Sequence, residues 1–246
     1  MIELRGVKKR FGEQIVLDGV DFTVADGETV ALLGASGTGK SVLLKHINGL
    51  IHPDAGTILV DGKNVATLKR DALAELRTSI GYVFQNGALF DSMDVFENVR
   101  LGIVTAEHYQ DSAFCKDRVA ECLRLVNLAA DTAVKYPSQL SGGMRKRVGI
   151  ARALASGAAI LLYDEPTAGL DPVNTFAIGQ LIARLKTKGV TQVVVTHDLD
   201  TAYRVADRIV MIVGGRILFE GVVQDLRNCR DQSVREFLDP AGAVTT

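Results

Sequence analysis

The chain has 246 residues, of which 47% are hydrophobic and 23% charged, and its formal net charge is -1. That length buries one substantial core with room for a smaller appended lobe. The near-neutral charge excludes a nucleic-acid binder held by bulk positive charge. Three cysteines (Cys115, Cys122, Cys229) in no metal-like spacing read as free thiols of a reducing compartment rather than a disulfide framework.

No apolar run reaches the ~18–20 residues needed to cross a bilayer, and the opening "MIELRGVKKRF" has no apolar signal core. The chain is therefore expected to be cytosolic and to reach a membrane only through a partner. The N-terminal third reads as strands: "IELRGV", "DFTVA", "TVALLG" and "GTILVDG", each short, apolar or β-branched, and bounded by Gly or Asp. A helix beginning at Lys40 lies between the last two, and a further strand, "GYVFQ", ends at Gln85. From about 94 to 156 the spacing of apolar residues is helical, in "DVFENVRLGI", "DSAFCKDRVAECLRLVNL" and "SGGMRKRVGIARALAS". Alternation then resumes: strand "AAILLYDE", helix "DPVNTFAIGQLIARLKTKG", then strands "TQVVVTHD", "DRIVMIV" and "GRILFEG". Strand–helix alternation predicts a mostly parallel sheet covered by helices, with the helical block as an inserted subdomain. The segment "DQSVREFLDP" predicts a final short helix, with Val234, Phe237 and Leu238 on one face. Docking on its own subunit and on a neighbour are both open for it.

"GASGTGKS", Gly34 to Ser41, fits G-x-x-x-x-G-K-[ST] between an apolar strand and a helix. Glycines let the backbone amides of Gly34, Ala35, Ser36, Gly37, Thr38 and Gly39 turn inward on phosphate oxygens, and the helix N-terminus adds partial positive charge. Lys40 supplies a full charge, and Ser41 a hydroxyl for a magnesium ion. "ILLYDEP" sets Asp164 and Glu165 at the carboxyl end of a buried strand, where parallel sheets bind ligands. Asp164 suits the metal's water shell; Glu165 suits a base beside the γ-phosphate. Gln85 could ligate the metal or the attacking water, and His197 could contact the γ-phosphate and steady Glu165. Phe11 could stack on a purine or simply pack in the core. A second glycine-rich helix start, "LSGGM" at 140–144, has phosphate-binding parts but lacks a lysine and a metal ligand, so it cannot hold a nucleotide alone.

In this order the motifs resemble the nucleotide-binding subunit of an ABC transporter, from Ile2 to about Gly221. They comprise an aromatic A-loop (Phe11), a Walker A loop (34–41), a Q-loop (Gln85), a signature (140–144), a Walker B strand (160–165), a D-loop "AGLD" (168–171) and a switch histidine (His197). The resemblance implies a P-loop NTPase fold of the ABC type: a RecA-like parallel core, an N-terminal antiparallel β-subdomain and an inserted helical subdomain. One domain would fill 1–246. Its catalytic core would be 1–85 and 157–221, its helical subdomain about 86–156, and its C-terminal helix and tail 222–246. The resemblance further implies ATP and Mg2+, and a head-to-tail dimer in which Ser141, Gly142 and Gly143 of one copy close on the nucleotide of the other. Asp171 would lie at that interface. A polyspanning permease would be the membrane partner, on the cytoplasmic face of a bacterial inner membrane; no nucleic acid is implied. The chain departs from the commonest pattern at Met144, where glutamine is usual. The serine hydroxyl and glycine amides are kept, so activity is expected to survive.

The stretches "NGALFDSMDVFENV", "LSGGMRKRVGIARALA", "LLYDEPTAGLDPV" and "VREFL" look like the ATPase of MCE-linked, Mla-type phospholipid transporters. That resemblance implies an MCE-domain lipid-binding protein in the same complex. The alternative is an importer or exporter of another substrate, and a soluble non-transport ATPase is a further one. The apolar run Ala88, Leu89, Phe90 could form a socket for a permease helix or pack inside the insert.

Overall fold

A computed structural model describes residues 1–239. The end of the predicted tail, 240–246, lies outside the described residues. Strands β1 (Ile2–Phe11), β2 (Gln14–Val24), β4 (Ala55–Val60) and β5 (Lys63–Asn64) form an antiparallel sheet in the order β2-β1-β4-β5. The second sheet holds β3 (Thr29–Leu33), β6 (Ile80–Val83), β7 (Ile160–Asp164), β8 (Thr191–Val195), β9 (Arg208–Val213) and β10 (Arg216–Val222), in the order β10-β9-β3-β8-β7-β6. All its neighbours are parallel except β10 on β9. This is the expected α/β class: a parallel core with an antiparallel N-terminal sheet.

The core strands look uniformly apolar because both faces are buried, yet their side chains alternate between two environments. Val30, Leu32, Ile160, Leu162, Val193 and Val195 pack with the antiparallel sheet and with Leu43, Leu44 and Ile47 of α1 (Lys40–Ile47). Leu161, Tyr163 and Val194 face the other way, toward α6 (Gly142–Ala155) and α7 (Pro172–Lys186). Ala31, Leu33, Ile209 and Met211 pack under α8 (Leu199–Val205), α9 (Val223–Asn228) and α10 (Gln232–Leu238). Helix α10 thus docks on its own chain: Val234 is fully buried, with Phe237 and Leu238 packed beside it.

The insert is helical: α3 (Val95–Arg100), α4 (Ala106–Gln110), α5 (Ser112–Leu125) and α6, with two short 3-10 turns between α5 and α6. Asp94 caps α3 in a reciprocal box with Glu97, and Ser141 caps α6 by accepting from the Met144 amide at 3.2 Å. Helix α2 (Arg70–Thr78), α8 and α9 were not expected from the sequence. Helix α2 is nine residues long and buries only Leu76. The strand expected to end at Gln85 ends at Val83: Phe84 turns outward, and Gln85 stands exposed in the following turn.

Candidate functional site

At the carboxyl ends of β3, β6, β7 and β8 lies an open cleft of about 520 Å³, in the size range of small-ligand sites. Its lining includes Phe11, Gly37, Lys40, Ser41, Gln85, Glu165 and His197, brought together from five stretches of sequence. Val16 and Val42, which the sequence did not single out, complete an apolar wall beside Phe11. Phe11 is nearly half exposed, with Lys9 Nζ 5.4 Å from its ring centroid. It lines the cleft and does not pack in the core.

The loop from Gly34 to Gly39 turns the chain from β3 into α1. Gly39 has φ 98°, and a Cβ there would meet the Val16 carbonyl at 2.8 Å; at Gly34 a Cβ would meet the Ile212 carbonyl at 2.4 Å. Only glycine fits either position. Thr38 Oγ1 donates to the Ala35 carbonyl at 3.0 Å, bracing the loop from within. Lys40 Nζ donates to the carbonyls of Gly34 at 2.7 Å and Ala35 at 2.8 Å, so the ammonium folds back over the loop. Burial pulls this ammonium below the ordinary lysine value, and the carboxylates of Glu165 and Asp164 oppose the shift.

Ser41 Oγ donates to Asp164 Oδ1 at 2.6 Å, across the base of the cleft. Asp164 Oδ2 accepts from the Tyr82 hydroxyl at 3.2 Å. Burial, then the Asp164 charge, raises the Tyr82 pKa, so the phenol stays a donor. A hydroxyl, a carboxylate and the nearby Gln85 amide are hard oxygen donors, which fit magnesium. Tyr82 was missed because its ring reads as one more strand apolar; its polar tip was the available signal.

Glu165 follows β7 with φ 50°, unusual for a non-glycine residue. Its amide donates to the Val195 carbonyl at 3.0 Å, and its carbonyl accepts from the Ala168 amide at 3.2 Å, closing a turn over 165–168. Its Oε2 lies 2.9 Å from His197 Nδ1. A carboxylate in the cleft, oriented by a histidine and facing a phosphate-binding loop, is suited to take a proton from water.

None of Ser141, Gly142, Gly143 and Asp171 lines this cleft. Ser141 and Gly142 are exposed at the start of α6. Asp171 caps α7, accepting from the Asn174 amide at 2.9 Å and side chain at 2.6 Å; these bonds hold its carboxyl below the usual range. The two glycine-rich helix starts therefore do not share one cleft.

A second, apolar groove of about 400 Å³ flanks the Gln85 turn, lined by Tyr82, Phe84, Ala88, Phe90, Leu101 and Val104 among others. The run 88–90 divides: Phe90 is 54% exposed, while Leu89 packs against the helical core. Buried Asn98 fixes this segment by accepting from the Phe90 amide at 2.8 Å and donating to the Phe90, Met93 and Asp94 carbonyls. Arg152 donates to the carbonyls of Ala88 at 2.7 Å and Gly87 at 2.8 Å.

A phosphate loop at the carboxyl end of a parallel sheet, with a strand-end carboxylate opposite it, defines a P-loop nucleotide hydrolase. The family model for ABC transporters matches residues 17–168. The chain is 41% identical over 242 residues to a methionine import ATP-binding protein of Leifsonia xyli, covering 96% of this chain and 70% of that protein. It is 39% identical over 239 residues to a probable ribonucleotide transport ATP-binding protein of Mycobacterium tuberculosis, covering 97% and 66%. A methionine import protein of Brucella abortus is 42% identical over 91% of this chain, which spans 60% of its length. A dimeric, post-hydrolysis structure of the ATP-binding cassette MJ0796 with ADP and Pi superimposes with a TM-score of 0.83 at 35% identity, covering 91% of this chain and 99% of that one. The chain belongs to the ABC transporter family and carries its ATP-hydrolysing domain.

Proposed function

We propose that this chain powers a membrane ABC transporter by hydrolysing ATP at sites shared between two copies. The observation that carries the reading is the single cleft that gathers Lys40, Ser41, Gln85, Glu165 and His197. In it Phe11 stacks on the base, the amides of the 34–39 loop and Lys40 hold the phosphates, and Glu165 draws a proton from the attacking water while His197 orients it. Ser41, Gln85 and Asp164 would hold a magnesium ion, which would neutralise phosphate charge. Ser141 and Gly143 of the second copy close over the γ-phosphate, and Asp171 lies at that contact. The dimeric MJ0796 cassette supports this arrangement.

No helix among the described residues is long and apolar enough to cross a membrane. We assign membrane attachment to a permease, seated in the groove of Phe84, Phe90, Leu101 and Val104 on the cytoplasmic face of a bacterial inner membrane.

For the cargo, the relatives named for methionine import and ribonucleotide transport favour a small solute over a phospholipid. The phospholipid reading, with its MCE-domain partner, keeps one support, the resemblance in the segments 86–99, 140–155, 161–173 and 234–238. Reconstitution of the chain with its permease in liposomes separates them. Turnover stimulated by a soluble solute and its binding protein supports import; turnover stimulated by an MCE protein, with lipid movement, supports the second reading. A chain that binds no permease and hydrolyses ATP identically without one would refute both.

A further inference from the structure

Lys146 is a charged side chain that the reaction above does not use. It lies on α6 and is 7% exposed. Among the described residues its ammonium has no carboxylate hydrogen-bond partner. It donates to the Ala168 carbonyl in a short bond and lies 3.5 Å from the Glu165 carbonyl. These two carbonyls are the ends of the turn over 165–168, which the Ala168 amide closes. A buried cation is costly unless its donors are met, and here a single turn of backbone supplies two acceptors. Burial also draws the Lys146 pKa down, with Glu165 opposing.

The same face of α6 touches the first turn of α7, just beyond that loop. Gly143 is buried so close to Asn174 that a Cβ would stand 2.4 Å from Asn174 Oδ1, and Arg147 approaches the same oxygen at 3.5 Å. Asn174 in turn holds Asp171. Positions 143, 146 and 147 are spaced i, i+3, i+4, one face of a helix. That face contacts both the 165–168 turn and the start of α7 in its own chain.

We propose that Lys146 is a positioning residue: by clasping the 165–168 turn it holds the left-handed backbone of Glu165, and so aims the carboxylate at the attacking water. The helix that presents Ser141 to the opposite nucleotide thereby sets the geometry of its own chain's carboxylate, which links the two sites of a dimer. This rests on the assignment of Glu165 as the base.

The test uses the full chain with Mg-ATP. Lys146→Met keeps the stem and removes the donors; Lys146→Gln keeps a shorter neutral donor. We expect kcat to fall roughly ten- to a hundredfold in Lys146→Met, with ATP affinity and KM within about twofold, and Lys146→Gln to recover part of the loss. A merely structural role would lower the melting temperature and move KM with kcat. Lys146→Met turning over at the parent rate, or losing affinity and kcat together, overturns the proposal. Should the Met variant fail to fold, the Gln variant decides, through faster amide exchange at Ala168 and a lower kcat; parental values of both overturn it. Glu165→Gln is the parallel arm: retained turnover there refutes the base assignment, whereas its loss beside an unaffected Lys146→Met refutes Lys146 alone.

Discussion

The strand that ends in Asp164 is tied from behind by a buried polar network, and removing one atom of it has a calculable cost. Tyr163 and Gln192 are both fully buried. The Tyr163 hydroxyl donates to Gln192 Oε1 at 2.9 Å, and Gln192 Nε2 donates to Thr29 Oγ1 at 3.0 Å and to the Ile182 carbonyl at 3.1 Å. The network thus joins β3, β7, β8 and α7. Tyr163→Phe keeps the ring and leaves Gln192 Oε1 without a donor, at a cost of about 1–3 kcal/mol. For a chain of this size each kcal/mol lowers the melting temperature by roughly 2–4 °C, so a fall of several degrees is expected. Gln192→Met should cost more, because it strips partners from Tyr163, Thr29 and Ile182 together. The double variant should cost less than the sum. Urea titration with parallel thermal melts measures all three. A Tyr163→Phe protein within about 0.5 kcal/mol of the parent would refute the network's role, since that is the scatter of an ordinary surface change.

Glu165→Gln should lower turnover by about 10²–10⁴-fold while leaving ATP bound, so that gel filtration with ATP reports a persistent dimer; parental turnover would remove the carboxylate from its proposed role. Gly39→Ala should weaken ATP binding about tenfold or more, from the roughly 1–2 kcal/mol left-handed penalty and the contact with the Val16 carbonyl; calorimetry checks this, and unchanged affinity contradicts it. His46, fully buried with Nδ1 2.7 Å from the Val42 carbonyl, has its pKa lowered chiefly by burial. The unfolded chain therefore takes up this proton first, near pH ~6.5. Its contribution to stability should be intact above that pH and decline as pH falls toward the lower folded value, by at most about 1.4 kcal/mol per pH unit. His46→Gln should flatten that slope in urea titrations between pH 7 and 5, and an unaltered slope would refute it.

The sequence is most informative where function is local. The loop 34–41 and the pair Asp164–Glu165 each lie within one strand–turn unit, so their chemistry is visible in a few consecutive letters. The parallel core was legible because its strands, such as "TVALL", are buried on both faces and read as unbroken apolar runs. Helix α2 was not, because it is only nine residues long and only Leu76 is buried. Gln85 was read as a strand end because Phe84 continues the apolar run, yet Phe84 turns out to line the apolar groove. Long-range pairs were invisible: Tyr82 meets Asp164 across 82 positions, and Lys146 meets Ala168 across 22. A sequence gives the donors, but only the fold says which carbonyl or carboxylate receives them.

The central claim is that the Walker A loop and the signature of one chain serve different nucleotides. It is tested most directly in a mixed dimer carrying Ser141→Arg in one copy and Lys40→Ala in the other. Both lesions then fall on one shared site and leave the second whole. Occlusion of one ATP per dimer is the predicted result, measured with radiolabelled nucleotide under conditions that trap the closed state. No occluded ATP, with each homodimeric control behaving as its own single lesion requires, would mean that both loops serve the nucleotide of their own chain.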